Sequence, residues 1–263
     1  MLYPRLRLQP VPALGDNYIW LMDDGASAVV VDPGAADGVE RILRDEGLDL
    51  VAVLLTHHHA DHIGAAPELL RGWPHAKIYG PKDERIALVM SRVGEGDEVR
   101  VDAPSLAFRV IGIPGHTSSH IAFSGMGFVF CGDTLFSLGC GRMFEGTPAQ
   151  FHHSLTRLAS LPDSALVCCG HEYTVANGDF AITVDPANED LQARIEDARL
   201  QRSSGNATLP STIGSERACN PFLRVGTEAV THSLTSRAGA SPRDDIEAFA
   251  WLRSWKDSFR SGC

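Results

Sequence analysis

The chain has 263 residues, 44% of them hydrophobic and 21% charged, and its formal net charge at pH 7 is −10. This composition is typical of a globular protein with a substantial core, in one large domain or two smaller ones. The acidic balance argues against a nucleic-acid-binding protein, which usually presents a basic face. No apolar run approaches the ~18 residues of a membrane-spanning helix, and the first residues lack the pattern of a signal peptide.

The first part of the chain predicts strands and one amphipathic helix. Weak alternation favours strands over residues 6–11 and 18–23, and the apolar run 28–31 is a short strand that ends at Asp32. Asp32 is interpreted either as a turn residue or as a carboxylate that orients a metal-bound histidine. Residues 37–47 carry an apolar stripe at helical spacing and close on a glycine, which predicts a helix.

A cluster of metal-binding residue types follows the buried strand predicted for residues 51–55. His57 and His59 are two apart, so an extended segment directs both side chains the same way. Asp61 and His62 come next and can reach a second point nearby. Imidazole nitrogen and carboxylate oxygen are ligands that borderline cations accept readily, so one loop is predicted to serve two adjacent metal positions. The alternative is a solvated histidine-rich loop that binds metal only adventitiously.

The middle of the chain continues in short elements. Helices are predicted over 64–71, 82–92 and 147–160, and strands over 77–79, 97–101, 106–113, 121–123, 128–130 and 165–169. Thr147 and Pro148 are typical of the cap and first residue of a helix. After residue 171 strand-like runs disappear, and helices are predicted over 186–203, 227–237 and from about 241 to 259. The order predicts a mixed α/β domain followed by a small helical one.

Four separate loops place metal-ligand types directly after an apolar strand. They carry the 57–62 cluster, His116, Asp133 and His171. Loops at strand ends can converge on one point, so this regularity favours a shared site. The six cysteines form no CxxC pair and no disulfide-framework spacing, which favours reduced thiols and a cytoplasmic location.

The motifs THHHADH, PGHT, CGDT and CGHEY together resemble the metallo-β-lactamase superfamily. The resemblance implies an α+β fold, a four-layer αββα sandwich with two metals at the strand ends, over residues 1–171. It implies that one metal is held by His57, His59 and His116, and the other by Asp61, His62 and His171. Asp133 is then implied to bridge the two metals.

Further motifs resemble the hydroxyacylglutathione hydrolase (glyoxalase II) family and extend the likeness over nearly the whole chain. They are GCGRMFEGT from Gly139, HEYT from His171, NPFLR from Asn220 and the ending WLRSWKDSF. Residues 172–263 are then a helical glutathione-binding domain. The resemblance implies that the glutathione moiety contacts Arg142, Phe144, Tyr173, Arg253 and Lys256. Some family members have tyrosine at the Phe144 position, so a hydroxyl contact is absent here.

The function implied is hydrolysis of S-(2-hydroxyacyl)glutathione, with S-D-lactoylglutathione giving glutathione and D-lactate in the second step of methylglyoxal detoxification. A hydroxide bridging two divalent metal ions is the implied nucleophile, and Asp61 and Asp133 are the implied catalytic residues. Zinc is expected first, and iron or manganese fits the same ligands. We expect a monomer whose partner is a small-molecule thioester rather than a nucleic acid or a membrane.

Independent chemistry supports the implied substrate. Arg253 and Lys256 are three residues apart on a predicted helix and so share a face, and glutathione carries two carboxylates that such a pair could hold. The alternative for this pair is a merely solvated helix face.

Three other functions are compatible with parts of the pattern. A persulfide dioxygenase of the same fold would use a single iron, whereas this chain keeps Asp61, His62 and His171 for a second metal. A phosphodiesterase or nuclease is disfavoured by the acidic balance and the WLRSWKDSF ending. A non-catalytic, metal-stabilised binding protein is disfavoured by a ligand set in the order of an open dinuclear site.

Overall fold

The computed structural model describes residues 6–260, which divide into two compact units. Of the described residues, the first unit takes 6–112 and 119–132, and the second takes 113–118 and 133–260. The predicted domain boundary after residue 171 stays a prediction.

The first unit contains most of the β-structure. Its strands are β1 Arg7–Ala13, β2 Asn17–Asp23, β3 Ser27–Val31, β4 Asp49–Leu54, β5 Lys77–Pro81, β6 Ser91–Val93, β7 Glu98–Val101, β8 Leu106–Gly112, β9 Ile121–Gly125 and β10 Phe128–Gly132. Its helices are α1 Asp37–Asp45, α2 Ala60–Ile63 and α3 Ala66–Gly72. The strands predicted between residues 6 and 54 are confirmed within a few residues.

The first sheet has the strand order β1-β2-β3-β4-β5-β6. The β1–β2 and β2–β3 pairs are antiparallel, and the pairs from β3 to β6 are parallel. Helix α1 connects the parallel strands β3 and β4, and its Val39 and Leu43 are buried against apolar side chains of the sheet such as Val30 and Val53. This arrangement directs the carboxyl ends of β3 and β4, and the polar residues that follow them, to the same edge.

Strands β7 to β10 form an antiparallel meander in the same unit. The backbone N–H of Ile121, at the start of β9, donates to the carbonyl of Thr56 just after β4. His120 stacks on His57 with ring centroids 4.5 Å apart and an interplanar angle of 15°. The loop that follows β4 is therefore also held by contacts with His120 and Ile121.

The second unit is mainly helical. Its helices are α4 Pro148–Ala159, α5 Thr174–Val184, α6 Glu189–Ser203, α7 Ile213–Cys219, α8 Glu228–Ala238 and α9 Asp245–Ser258. Its strands are β11 Leu135–Phe136, β12 Gly139–Cys140, β13 Leu166–Cys169 and β14 Ser211–Thr212, which pair as β11–β12 and β13–β14. The predicted helices at 147–160, 186–203 and 227–237 are confirmed, and Thr147 caps α4 in a capping box with Gln150.

Aromatic side chains hold the helices of the second unit together. Phe249 of α9 contacts Phe151 of α4 and Phe222, with ring centroids 5.6 and 6.1 Å apart, and Phe180 of α5 lies 6.1 Å from Phe222. All four side chains are fully buried. Burial of that much aromatic area is the main stabilisation of helices whose own propensity is modest.

The prediction of a helix over residues 82–92 is wrong. The segment forms turns up to residue 90 and then the short strand β6. The Asp83 carboxylate accepts a hydrogen bond from the Arg85 backbone N–H at 3.0 Å and from the Ser119 hydroxyl at 2.5 Å. Such side-chain bonds offer the backbone an alternative to the helical ladder, and here they outweigh the apolar spacing.

Helix α5 was not predicted. Its sequence, TVANGDFAITV, contains an Asn-Gly pair and several β-branched residues, all poor helix formers. Phe180, Ala181 and Val184 are nevertheless fully buried, so tertiary packing decides the structure. The five described cysteines are buried, and within residues 6–260 no helix has the length and apolarity needed to cross a membrane.

Candidate metal centre and adjoining pocket

His57 and His59 converge in the loop after β4, as the spacing predicts. His57 is fully buried, and its Nε2 lies 3.0 Å from Nδ1 of His59. Two nitrogens that share a cation at ~2.1 Å in tetrahedral geometry lie roughly 3.4 Å apart, so the pair is close to the spacing of two ligands of one ion. His58 is directed to Asp83 instead, with Nδ1 at 3.7 Å from the carboxylate.

Asp32 orients this loop and is more than a turn residue. One carboxylate oxygen accepts the Thr56 N–H at 2.8 Å. The other accepts the Thr56 hydroxyl at 2.6 Å and lies 3.0 Å from His62 Nδ1. The Thr56 hydroxyl in turn lies 3.1 Å from His57 Nδ1. One buried carboxylate therefore fixes two imidazole rings, His62 directly and His57 through Thr56, in the way that ligating histidines are held in metalloproteins.

Asp61 and His62 form a second pair in the same loop. His62 Nε2 lies 3.5 Å from an Asp61 carboxylate oxygen, and the Asn17 amide donates to that oxygen at 3.0 Å. Gly34, two residues after Asp32, lies so close to the Asp61 carbonyl that any side chain would overlap it. The glycine is therefore required for the approach of the two loops.

Asp133 stands between two histidines in the second unit. Its two oxygens face different rings, with Oδ2 at 3.5 Å from His116 Nε2 and Oδ1 at 3.3 Å from His171 Nε2. The Arg142 carbonyl lies 2.8 Å from His116 Nδ1 and accepts a hydrogen bond from its N–H. The lone pair of the ring is then on Nε2. A carboxylate whose two oxygens face different imidazole rings has the geometry expected of a ligand that bridges two metals.

The donor chemistry fits divalent cations. All the donor atoms described are imidazole nitrogens or carboxylate oxygens, and the rings are held by the buried side chains of Asp32 and Thr56 and by the Arg142 carbonyl. Neutral imidazole with carboxylate suits zinc, iron and manganese alike.

A cavity of about 410 Å³ opens beside Asp133 and His116 in the second unit. Its lining includes all five residues that the sequence assigned to the glutathione moiety, namely Arg142, Phe144, Tyr173, Arg253 and Lys256. Phe136, Cys140, Ala176 and Asn177 also line it, and the sequence did not identify them. Cys140 and Asn177 lie in or beside motifs that could have pointed to them, GCGR and HEYT.

Arg253 is 5% exposed, and its guanidinium is bound mainly by protein groups. One terminal nitrogen donates to the carbonyls of Cys140 and Gly141 at 2.9 and 3.3 Å, and the other to Asp257 at 2.9 Å. Arg253 therefore contributes to the wall of the cavity through a guanidinium that already bonds protein groups, and its contact with glutathione stays a prediction.

Lys256 also lines the cavity, and its ammonium group is bound to the protein. It donates to the Ala176 carbonyl at 3.1 Å and lies 5.1 Å from the Phe180 ring centroid. Burial, and secondarily the positive charge of Arg253, lowers the pKa of Lys256 to about 8. The group is thus a cation at neutral pH that an incoming carboxylate would stabilise.

Two aromatic rings flank the histidines at the mouth of the cavity. Tyr173 stacks on His171 with centroids 4.8 Å apart and an angle of 6°. Phe144 is 61% exposed and lies 5.2 Å from the His116 ring. An exposed phenyl ring next to a ligand-type histidine is available to a bound molecule.

Two family models match consecutive stretches of the chain. Residues 13–171 match the metallo-beta-lactamase superfamily, and residues 172–259 match the hydroxyacylglutathione hydrolase C-terminus. A hydroxyacylglutathione hydrolase of Xanthomonas euvesicatoria pv. vesicatoria is 50% identical over 257 residues, which cover 97% of this chain and 100% of that protein.

The chain belongs to the hydroxyacylglutathione hydrolase family.

A second relative agrees with this placement, and two solved structures are similar in fold. The hydroxyacylglutathione hydrolase of Xylella fastidiosa (strain M12) is 49% identical over 97% of this chain and 98% of its own. Among solved structures, ETHE1 from Myxococcus xanthus is 29% identical with a TM-score of 0.63, over 95% of this chain and 99% of its own. TTHA1623 in a di-iron-bound form is 26% identical with a TM-score of 0.59, over 82% of this chain and 100% of its own.

The comparisons confirm the predicted α+β fold, a metallo-β-lactamase domain followed by a C-terminal helical domain. Superfamily membership and the His/Asp cluster together indicate that the chain binds divalent metal ions.

Proposed function

We propose that this protein hydrolyses thioesters between glutathione and a 2-hydroxy acid, converting S-D-lactoylglutathione and water to glutathione and D-lactate. The observation that carries the proposal is the 50% identity to a hydroxyacylglutathione hydrolase over 97% of the chain. A cavity that joins Asp133 and His116 to the ammonium of Lys256 supports the same substrate class, an electrophile attached to an anionic peptide.

The proposal assigns seven ligands to two divalent metals. His57, His59 and His116 hold one ion, Asp61, His62 and His171 hold the other, and Asp133 bridges them. Pairs of donor atoms at 3.0 to 3.5 Å support this assignment, as do the two oxygens of Asp133 that face different histidines.

When bound, two such ions lower the pKa of a shared water toward neutrality and polarise the thioester carbonyl. Asp61 and Asp133 would carry the chain's own part of this chemistry: Asp61 would orient that water as well as hold a metal, and Asp133 would hold both ions through its two oxygens. Asn17 and Asp32 keep Asp61 and His62 in place through the hydrogen bonds described above. The thiolate of glutathione is a good leaving group and needs little protonation.

The glutathione moiety occupies the cavity in this proposal. Lys256 and Arg142 bind its carboxylates, because charge-assisted bonds to carboxylates are the strongest that the cavity offers. Tyr173 and Phe144 contact the peptide near the sulfur, and Arg253 completes the wall.

Several finer points stay predictions. We propose zinc as the resident metal, with iron or manganese as alternatives, a monomeric state and a cytoplasmic location. The boundary between a catalytic domain of residues 1–171 and a glutathione-binding domain of residues 172–263 is part of the same proposal.

The proposal is tested by following the ultraviolet band of the thioester in S-D-lactoylglutathione. The lactoyl thioester of N-acetylcysteamine, which lacks the flanking residues of glutathione and has no carboxylate, serves as the matched control substrate. We expect hydrolysis of the first with kcat/KM at least ~100-fold higher than of the second, because two charge-assisted contacts are lost.

Glutathione persulfide separates this function from the rival dioxygenase. Oxygen uptake with the persulfide, without cleavage of the thioester, would contradict the proposal. Equal kcat/KM for the two thioesters would still be consistent with a thioesterase, but it would contradict a glutathione-binding role of the cavity.

A further inference from the structure

We propose that Glu216 and Asn220 are positioning residues for the metal ligands Asp133 and His116. Both side chains are fully buried; Glu216 lies within α7, and Asn220 follows its last residue. They bind the hairpin formed by β11 and β12, which connects Asp133 to Arg142. Neither contacts the cavity, so their effect on a ligand passes through this hairpin.

Asn220 binds both strands of the hairpin from one amide group. Its nitrogen donates to the carbonyls of Phe136 in β11 and Gly139 in β12, at 3.1 and 2.9 Å. Its amide oxygen accepts the Phe222 N–H at 3.0 Å, which fixes the orientation of the amide. One side chain therefore sets the separation of the two strands.

Glu216 binds the turn between these strands. Its carboxylate accepts the Leu138 N–H at 2.8 Å and the Asn220 amide at 3.0 Å. Leu138 has φ of 59°, a left-handed conformation that is unfavourable for a side chain branched beyond Cβ. The bond from Glu216 stabilises a backbone conformation that the local sequence does not favour.

The hairpin cannot hold its own shape. Each strand has two residues, and a hairpin of that size is unstable in water without further contacts. Helices of the second unit supply them through side chains that bind its backbone. Asn177 donates to the Ser137 carbonyl at 3.1 Å, in addition to the bonds from Glu216, Asn220 and Arg253.

The residues that flank the hairpin connect it to the proposed ligands Asp133 and His116. Asp133 lies two residues before β11, and the Gly141 N–H donates back to the Thr134 carbonyl at 3.2 Å. Arg142 lies two residues after β12, and its carbonyl holds Nδ1 of His116. A change in the hairpin would therefore move Asp133 and release the ring of His116 together.

This inference rests on the proposed metal centre, and its test measures metal affinity rather than turnover. The metal-free full-length protein is titrated with zinc against a chromophoric chelator, for wild type and Asn220→Ala. We expect zinc affinity to fall roughly 10-fold or more, as it does when groups that orient metal ligands are removed.

Ser233→Ala is the matched control, because the Ser233 hydroxyl also bonds a backbone carbonyl between helices, that of Val184 at 2.6 Å, away from the hairpin. We expect its zinc affinity to equal that of wild type even where its metal-free melting temperature falls as far as that of Asn220→Ala. If zinc affinity fell in both variants in proportion to the fall in their melting temperatures, the role of Asn220 would be purely structural.

The Glu216 variants give a second test that does not depend on how well Asn220→Ala folds. Glu216→Gln keeps an acceptor for the Leu138 N–H and should retain zinc affinity within about 2-fold, whereas Glu216→Leu should lose it like Asn220→Ala. Wild-type affinity in Asn220→Ala and Glu216→Leu would overturn the inference. Failure of wild type to bind zinc would instead overturn the proposed metal centre.

Discussion

At the scale of single residues, the sequence predicts candidate metal ligands but not the residues that hold them in place. The fixed offsets of His57, His59, Asp61 and His62 predict a two-metal loop, and the side chains lie in the predicted pairs. The contribution of Asn17 to Asp61 and of Arg142 to His116 comes from residues 44 and 26 positions away. Bonds over such distances leave no local pattern, so only the structure identifies these partners.

Asp32→Asn tests the orientation of the ligands. Asparagine has the same shape but no charge, so its contacts to His62 and Thr56 are weaker. We expect zinc affinity to fall roughly 10- to 100-fold, measured by chelator competition. Asp45→Asn, an exposed substitution at the end of α1, should leave the affinity unchanged. An unchanged affinity in Asp32→Asn would leave Asp32 as a turn residue only.

Lys256→Met tests the cationic end of the cavity. Removing the ammonium should raise KM for S-D-lactoylglutathione about 10-fold or more, with kcat changed less than about 2-fold, because the contact is equal in ground state and transition state. The exposed Lys77→Met serves as the control of equal charge change. A fall in kcat with constant KM would place Lys256 in the chemical step instead.

The pH dependence of KM tests the same residue. The pKa of Lys256 is lowered to about 8, so the ammonium predominates below that pH and is lost above it. We therefore expect KM of wild type to rise as pH increases through about 8. Lys256→Met should lack this rise, and a rise of equal size in the variant would assign it to another group.

At the scale of elements, the sequence predicts those whose local signals agree with their packing. The capping box of α4 and the apolar strands β3 and β4 belong to this group. The segments at 82–92 and α5 do not. In the first, the carboxylate of Asp83 binds the backbone, and in the second, buried Phe180 and Ala181 outweigh a poor helical sequence.

Thr147→Ala tests the contribution of the α4 cap. The Thr147 hydroxyl accepts the Gln150 N–H at 3.3 Å, and the Gln150 side chain accepts the Thr147 N–H at 3.0 Å. Loss of the cap should lower the free energy of unfolding by about 1 kcal/mol in urea titrations, with unchanged zinc stoichiometry. Thr156→Ala, an exposed position in the last turn of the same helix, should cost far less, and equal losses would contradict a specific role of the cap.

At the scale of the whole molecule, the family follows from motifs spread over both units. The motifs THHHADH, PGHT, CGDT and CGHEY carry the resemblance by their order along the chain, and the sequence shows that order without any knowledge of distances. The division of residues 113–118 and 133–260 from the rest was not predicted, since it depends on packing across long separations.

Metal removal tests the coupling between the centre and stability. Chelation should lower the melting temperature, and zinc at ~100 times its dissociation constant should restore about 2.7 kcal/mol of stability per site, because only the folded chain presents the ligands. The comparison of Asp133→Asn with and without zinc is the control. A zinc-dependent shift in that variant as large as in wild type would contradict the bridging role of Asp133.

The proposed reaction is hydrolysis of a glutathione thioester by this chain with two bound metals. It is tested by titrating metal-free protein with zinc while following cleavage of S-D-lactoylglutathione. We expect the initial rate to rise until two equivalents of zinc per chain are bound and then to stay constant. A full rate at one equivalent, or no cleavage at two, would contradict it.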